Sequence, residues 1–268
     1  MDLQQIGLQH PAVKSVQHIQ NNTAPNRHKL FVAEGLWAHN MLLETGAPID
    51  TFLWCPEAIY ADEAHVRARE VAARADRAFR ISPRTLEKIS ERDKPDGLLS
   101  LAALPHWEPS GLRFGKSALV LVADGVEIPG NLGTLIRTLD ACRADCLVLT
   151  NRRTRLTHPK VIRASQGTIL TVPTIEFAAV EDAAGWLDAR GFTVLLADTD
   201  EAVNYRRADY SGRTALVVGS ERYGVSKPWY GRGYARVAVP MLGSGDSLNV
   251  SVSASILLYE ARARKSAW

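Results

Sequence analysis

The chain has 268 residues, of which 46% are hydrophobic, and its formal net charge is +3. This length and composition permit a substantial hydrophobic core and two modest domains. No apolar run approaches the roughly 18 to 20 residues that a membrane helix requires, and the first residues, MDLQQIGLQH, lack the order of a signal peptide. We therefore expect a soluble cytoplasmic protein with no membrane partner.

The chain contains three cysteines: Cys55, Cys142 and Cys146. An odd number cannot pair completely, and their spacing matches neither a zinc ribbon nor a redox motif. We expect free thiols and no metal.

The first part of the chain alternates helical and strand signals. Residues 1–30 are polar, whereas Phe31–Leu104 contains several predicted elements. These are a helix over Gly35–Glu44, a strand over Thr51–Cys55, a helix over Asp62–Arg77 and a short helix that Ser82 and Pro83 open. We predict a small α/β domain over residues 1–105, followed by a linker at 106–116, where turn formers show no periodicity.

Short apolar runs separated by helices dominate the rest of the chain. The predicted buried parallel strands are Ala118–Ala123, Cys146–Thr150, Thr193–Ala197, Ala215–Gly219 and Val237–Pro240. An apolar stripe marks the helix after the first of these strands, and a final helix is predicted over Asn249–Arg264. Residues 117–268 are therefore predicted to form an α/β domain with a mostly parallel sheet.

Loops that follow such strands carry the candidate chemistry, because ligands of open α/β sheets bind at the carboxyl ends of the strands. The first loop, DGVEIPGNLGTLIR, contains Asn131, a good helix cap, and Arg137, a cation that can hold a phosphate. Taken alone, both residues are also compatible with purely structural roles. Dinucleotide and Walker fingerprints are absent from the sequence, which disfavours a dehydrogenase and a nucleotide hydrolase.

Two further loops have distinctive sequences. In VVGSERYGV, Gly219 at a strand end leaves room for a flat ligand group. Glu221 is expected to face the same crevice as Arg137 if both loops lie at one edge of the sheet. In VAVPMLGSGDSLNV, Ser247 or Asn249 caps the last helix.

Basic residues cluster in two runs that are candidates for phosphate contacts, although either run could be a solvated surface. The residues are Arg27, Lys29, Arg152, Arg153, Arg155, Lys160 and Arg163.

The motifs NLGTLIRT, VVGSERYG and VPMLGSGDSLNVSVSA, in this order, resemble the signatures of the SpoU-type RNA ribose methyltransferases, members of the knotted methyltransferase superfamily. The resemblance spans roughly Ser117–Ser266. The segment KLFVAEGLWAHNMLLETG looks like the ribosomal-protein-like RNA-binding domain that many members carry. Two departures are Glu127-Ile128-Pro129, where many relatives have an Asp-Pro pair, and the bulky pair Arg222-Tyr223.

This resemblance implies a C-terminal trefoil knot, a homodimer and S-adenosylmethionine as cofactor. The implied reaction is methylation of a ribose 2′-hydroxyl in structured RNA, with large-subunit ribosomal RNA, where some relatives confer antibiotic resistance, favoured over transfer RNA. A non-catalytic RNA-binding or ribosome-assembly factor is the alternative. The implied cofactor residues are Val218, Gly219, Val239, Met241, Leu242, Leu248 and Asn249, and the implied catalytic and RNA-positioning set is Asn131, Arg137, Glu221, Ser247 and Asn249.

Overall fold

The computed structural model describes residues 1–265, and it divides into two compact units. The first unit comprises Met1–Pro105 together with Leu156–Leu170, and the second comprises His106–Arg155 and the chain from Thr171 onward. Within residues 1–265, no helix combines the length and the apolar character needed to span a membrane. The last three residues of the predicted domain over 117–268 lie outside the described part of the chain.

A five-stranded mixed sheet organises the first unit. Its strands are β1 (Gln5–Ile6), β2 (Leu30–Glu34), β3 (Ile49–Trp54), β4 (Arg77–Ile81) and β5 (Leu98–Ala103), in the spatial order β1-β4-β3-β5-β2. Its first four helices are α1 (Pro11–Asn21), α2 (Leu36–Thr45), α3 (Asp62–Arg74) and α4 (Pro83–Ile89). Ser82 caps α4 as predicted, because its hydroxyl accepts a hydrogen bond from the backbone NH of Thr85.

A seven-stranded sheet organises the second unit. Its strands are β6 (Leu119–Asp124), β7 (Cys146–Thr150), β8 (Thr174–Glu176), β9 (Phe192–Ala197), β10 (Val203–Asn204), β11 (Arg213–Val218) and β12 (Ala235–Ala238). The other α-helices of residues 1–265 are α5 (Pro129–Ala141), α6 (Pro159–Ser165), α7 (Val180–Asp188), α8 (Lys227–Tyr230) and α9 (Val250–Lys265), of which α6 belongs to the first unit. All pairings between these strands are parallel, which confirms the predicted α/β class with a mostly parallel sheet.

The strand order of this sheet, β10-β12-β9-β11-β6-β7-β8, creates a switch point beside β6. From β6 the chain first proceeds outward to β7 and β8, and then returns to the other side of β6, where β11 and β9 lie. Crevices at the carboxyl ends of strands near such a reversal are the usual ligand sites of open parallel sheets. The knot predicted from the family resemblance stays a prediction.

The predicted domain boundaries differ from the structure at two places. The predicted linker at 106–116 belongs to the second unit, because Trp107, Leu112 and Phe114 pack against its hydrophobic core. Residues 156–170, predicted to lie within the second domain, belong to the first unit, where α6 packs beside β2. The polar start of the chain also contains α1, whose buried Val13 and Val16 the sequence reading missed.

The three cysteines are unpaired and buried. Burial raises the pKa of each thiol, to about 11 for Cys55. High pKa values leave these thiols protonated and unreactive near neutral pH.

Candidate active site

A cavity of about 450 Å³ opens at the carboxyl ends of β9, β11 and β12. Its walls are the residues that directly follow these strands, together with the turn that precedes α9. They include Asp198, Val218, Gly219, Ser220, Glu221, Val239, Met241, Ser247, Leu248 and Asn249. The second and third of the loops singled out in the sequence therefore meet at one cavity.

The turn after β11 approaches its own strand end closely. Ser220 and Gly224 exchange two backbone hydrogen bonds of 3.0 Å, which close the turn. A Cβ atom placed on Gly219 would lie 1.9 Å from the carbonyl carbon of Gly224. Glycine is thus required at position 219 by the fold of the turn itself, a different reason from the space for a ligand that the sequence suggested.

Side-chain amides connect all three candidate loops. Asn131 donates a hydrogen bond of 2.6 Å from Nδ2 to Oε1 of Glu221, and Asn249 donates one of 3.2 Å to Oδ1 of Asn131. The backbone NH of Glu127 holds the other oxygen of Glu221 at 3.1 Å. The structure therefore brings Asn131, Glu221 and Asn249 together as one hydrogen-bonded series.

The two asparagines relate differently to their helices. Helix α5 has Ile128 at its N-cap, so Asn131 is not the cap that the sequence predicted, and its side chain faces Glu221. Asn249 does act as a cap, since its Oδ1 accepts hydrogen bonds from the backbone NH and the hydroxyl of Ser251 at the start of α9. Ser247 lines the cavity and donates a hydrogen bond of 3.2 Å to Asp246.

Glu221 is held as a carboxylate by its surroundings. Burial by itself would raise its pKa, but hydrogen bonds from the Asn131 side chain and from neighbouring backbone NH groups, including that of Glu127, outweigh it and lower the pKa. The negative charge of Glu221 therefore persists at neutral pH.

Asp198, which the sequence reading missed, is a second carboxylate of the cavity. Its Oδ1 accepts hydrogen bonds from the backbone NH groups of Thr199 at 2.7 Å and Asp200 at 3.1 Å, and its Oδ2 accepts one of 2.6 Å from the hydroxyl of Tyr230. Burial would raise the pKa of Asp198, but these hydrogen bonds lower it. Its place directly after the apolar run Thr193–Ala197 was the signal that could have identified it.

The predicted cofactor residues line this cavity with one exception. Leu242 does not contribute to the lining, and its side chain is 97% exposed to solvent. The adjacent Met241 does line the cavity, so the two side chains have different environments.

Arg137 lies outside the cavity lining, on the exposed side of α5. Within residues 1–265 its guanidinium makes no hydrogen bond or ion pair. Glu221 lines the cavity and is bonded to Asn131, whereas Arg137 is not among the lining residues. A crevice shared by Arg137 and Glu221 stays a prediction.

The basic residues predicted to contact RNA are divided between the two units. Arg27, Lys29, Lys160 and Arg163 belong to the first unit, and Arg152, Arg153 and Arg155 belong to the second. Arg152 pairs with Glu176 at 2.7 Å and Arg163 pairs with Glu91 at 2.9 Å. Arg155 is half-buried, and burial lowers its pKa.

Comparison with known proteins finds two family models along the chain. The model of the SpoU rRNA methylase family matches residues 118–259, and that of the MRM3-like substrate binding domain matches residues 10–100.

Solved structures extend the similarity over nearly the whole chain. The AdoMet-bound rRNA methyltransferase from Sinorhizobium meliloti is 26% identical with a TM-score of 0.87, and the match covers 97% of this chain and 98% of that one. An RNA 2′-O ribose methyltransferase is 30% identical with a TM-score of 0.79, at 97% and 98% coverage.

Among curated relatives, the 23S rRNA (uridine(2479)-2′-O)-methyltransferase of Streptomyces viridochromogenes is 26% identical over 247 residues, which is 90% of this chain and 85% of the relative. The SpoU family model alone covers more than half of the chain, and it contains the whole Glu221–Asn131–Asn249 series. This chain belongs to the SpoU rRNA methylase family.

Proposed function

We propose that this chain transfers the methyl group of S-adenosylmethionine to a ribose 2′-hydroxyl of structured RNA, and that the RNA is large-subunit ribosomal RNA. The observation that carries the proposal is the hydrogen-bonded series of Glu221, Asn131 and Asn249, which joins three loops at one cavity. The names of the relatives, which include rRNA and RNA 2′-O-methyltransferases, support the same reaction.

The cavity suits S-adenosylmethionine chemically. Among the described residues that line it, the charged ones are the carboxylates Asp198 and Glu221, which favour a ligand that carries a sulfonium and an ammonium group. Val218, Val239 and Met241 provide apolar surface for an adenine ring. When bound, the cofactor supplies an electrophilic methyl group. We assign its binding to Gly219, Leu248, Asn249 and these apolar residues, and exclude the exposed Leu242.

The residues around the cavity would align the acceptor hydroxyl. Glu221 fixes the amide of Asn131, which in turn holds Asn249, so both amides have defined orientations for contacts with a ribose. Alignment of two reactants contributes several kcal/mol to lowering a barrier. Ser247 adds a hydroxyl at the same wall.

Arg137 would bind a phosphate of the RNA. An arginine guanidinium is a poor base, whereas its positive charge attracts phosphate oxygens. Its exposure and its lack of partners within residues 1–265 leave it available for this contact.

A second copy of the chain would cover the exposed side of α5 and α9. These helices pack together through Thr138 and Ser255, whose hydroxyls lie 3.2 Å apart. On α9, Val252 and Tyr259 lie two turns apart and expose 47% and 40% of their surfaces. We propose a homodimer through the exposed side of these two helices, which would also place a partner chain beside Arg137.

Substrate RNA would contact both units. The first unit coincides largely with the part that matches the MRM3-like substrate binding domain, so we assign RNA recognition to it. The exposed cations Arg27, Lys29, Arg153 and Lys160, with the paired Arg152 and the half-buried Arg155, would neutralise phosphates. We propose that the protein acts in the cytoplasm, on this ribosomal RNA substrate.

A transfer assay tests the proposal. The protein is incubated with S-adenosylmethionine carrying a labelled methyl group and with unmodified ribosomal or transfer RNA, and the methylated nucleotide is mapped. We expect label on a ribose of large-subunit RNA, its loss in Glu221→Gln, and its retention in the control Glu181→Gln, which changes an exposed residue of α7. Label only on transfer RNA would overturn the ribosomal assignment, and label on a base or on no RNA would overturn the reaction.

A further inference from the structure

The first unit contains a second cavity, of about 350 Å³, whose lining shares no residue with the candidate active site. One wall is apolar and is formed by Phe31 and Val32 of β2 with Ile162, Ile169 and Leu170 of the segment around α6. The volume is near the lower limit of ligand pockets, which span about 300–1,000 Å³, and suits one flat ring system.

Trp37, in the first turn of α2, forms an aromatic wall of this cavity. The chain at Gly167 lies directly against its indole, because a Cβ atom added there would be 2.7 Å from Cη2 of Trp37. Gly167 also has a φ of +81°, a conformation that favours glycine. Trp37 is nevertheless 50% exposed. A ring fixed on one side and accessible on the other is a platform on which a nucleic-acid base stacks.

Glu34, at the end of β2, provides a carboxylate in the same lining. One of its oxygens accepts a hydrogen bond from the hydroxyl of Ser90, and the other accepts one of 3.2 Å from the backbone NH of Glu91. Burial raises the pKa of Glu34, although these hydrogen bonds act in the opposite direction. Each carboxylate oxygen has a further lone pair, so Glu34 can still accept two adjacent donors from a ligand.

Arg163 lies in the same lining and offers donors. One nitrogen, Nη2, donates to the backbone carbonyl of Glu91 at 3.2 Å and to its side chain at 2.9 Å. The other N–H groups of Arg163 have no hydrogen-bond partner within residues 1–265. The lining therefore combines the carboxylate of Glu34, which can accept, with the guanidinium of Arg163, which can donate. Its other two charged residues are already paired, Glu91 with Arg163 and Arg92 with Asp96.

Guanine is the base whose edges complement the carboxylate of Glu34 and the guanidinium of Arg163. It presents two adjacent donors, N1–H and the 2-amino group, and two adjacent acceptors, O6 and N7, which an arginine binds bidentately. Uracil has a single donor between two acceptors, and adenine and cytosine lack two adjacent donors.

We propose that this cavity binds one unpaired guanine of the RNA substrate, stacked on Trp37, with its donor edge toward Glu34 and its acceptor edge toward Arg163. The inference rests on the proposed function, since it names a feature of the RNA that the first unit would read.

Binding of short RNAs to the full chain tests the assignment. Three heptamers of uridine carry guanine, inosine or uracil at the central position, and their dissociation constants are measured by fluorescence anisotropy at one fixed salt concentration. We expect the guanine heptamer to bind about tenfold more tightly than the uracil heptamer. Inosine lacks the 2-amino donor, so its heptamer should bind with intermediate affinity. Equal affinity for the three RNAs would overturn the proposal and leave the cavity to another occupant, such as an apolar protein side chain.

Substitutions in the cavity test whether the preference for guanine over uracil arises there. Glu34→Gln should abolish the preference for guanine over uracil, Trp37→Ala should weaken binding of the guanine heptamer, and Trp37→Phe should restore part of that binding. Tyr60→Ala is the matched control, because Tyr60 is an exposed aromatic residue of the same unit outside the cavity lining. Thermal unfolding curves first show that Trp37→Ala and Glu34→Gln are folded. If the folded variants then bind the heptamers with the same affinities as Tyr60→Ala, the proposal is wrong.

The binding and transfer assays separate this inference from the proposed function. Methyl transfer to RNA without any preference for guanine in the heptamers overturns the guanine pocket alone. A guanine preference that depends on Trp37, in a protein that transfers no methyl group, overturns the proposed reaction and supports the pocket.

Discussion

Asn131 and Glu221 lie ninety positions apart in the chain, and a hydrogen bond of 2.6 Å joins Nδ2 of the asparagine to Oε1 of the glutamate. The bond connects the first turn of α5 with the turn after β11, and Asn249 extends it to the start of α9. The side chain of Asn131 is thus oriented by both other loops, and Glu221 and Asn249 are each bonded to it. A change in one of these residues should therefore affect cofactor and acceptor binding together.

The first prediction concerns the charge of Glu221. Glu221→Gln keeps the shape of the side chain but removes the negative charge from a cavity that we assign to a cationic cofactor. We expect the affinity for S-adenosylmethionine, measured by isothermal titration calorimetry, to fall about tenfold, since hydrogen bonds to charged groups contribute about 1.5–3 kcal/mol and Glu221 is partly exposed. An unchanged affinity would contradict the assignment of this carboxylate to the cofactor site.

The same variant has a predicted pH dependence. The pKa of Glu221 is lowered in the folded chain from its ordinary value of 4.5, so its contribution to stability is complete above that value and is lost as the pH falls through the folded pKa. The difference in free energy of unfolding between the wild type and Glu221→Gln should be constant near neutral pH and should shrink in acid. Urea denaturation at a series of pH values measures it, and a difference that grows below pH 4.5 would refute the lowered pKa.

The second prediction concerns Gly219. A methyl group at this position would overlap the backbone of Gly224, so Gly219→Ala must open the turn after β11. We expect a loss of about 1–3 kcal/mol in the free energy of unfolding, the usual cost of overpacking, together with weaker cofactor binding. Gly243→Ala is the control, because a Cβ atom there meets no atom within 4 Å. Equal stability of the two variants in urea would show that the turn tolerates the methyl group.

The third prediction concerns Asp198. Asp198→Asn retains acceptor capacity for the Tyr230 hydroxyl but removes a negative charge from the cavity. Affinity for S-adenosylmethionine should therefore fall more than affinity for S-adenosylhomocysteine, whose sulfur is neutral. Calorimetry with both ligands measures the ratio, and Asp182→Asn, an exposed change on α7, provides the control. An equal loss for both ligands would contradict the charge argument.

Local patterns in the sequence predict most of the second sheet, because its strands are continuous apolar runs such as Cys146–Thr150. The order of three motifs also identified Asn131, Glu221 and Asn249. Asp198 belongs to no motif, and only its position after a strand marks it. The sequence could not reveal that 156–170 pack in the first unit, because that depends on tertiary contacts of α6 with β2.

Other features of the site depend on geometry that a motif does not contain. The sequence predicted Asn131 as the N-cap of α5, but the N-cap is Ile128, three residues earlier. Asn131 therefore lies inside the first turn of the helix. The role of Gly219 depends on the path of the turn back to Gly224. Met241 and Leu242 are adjacent and both apolar, yet only Met241 lines the cavity.

The last prediction concerns Arg137, which lies on the exposed side of α5 and outside the cavity lining. Arg137→Ala should therefore leave both the thermal stability and the affinity for S-adenosylmethionine unchanged. Its rate of methyl transfer to RNA, in single turnovers at saturating cofactor, should fall roughly tenfold to a hundredfold, the value of a charge-assisted contact. Lys116→Ala, which removes another exposed cation from the second unit, should have no such effect.

Arg137→Lys then distinguishes the two roles that the guanidinium can have. If Arg137 acts by holding a phosphate through its charge, as we propose, lysine should preserve much of the transfer rate, because an ammonium group also binds phosphate. If the planar fork or proton removal by the guanidinium is essential, lysine should be nearly as inactive as alanine. Near-complete loss of transfer in Arg137→Lys, with cofactor affinity intact, would therefore exclude simple charge positioning and assign Arg137 a direct part in activating the ribose hydroxyl or in bidentate recognition of the phosphate.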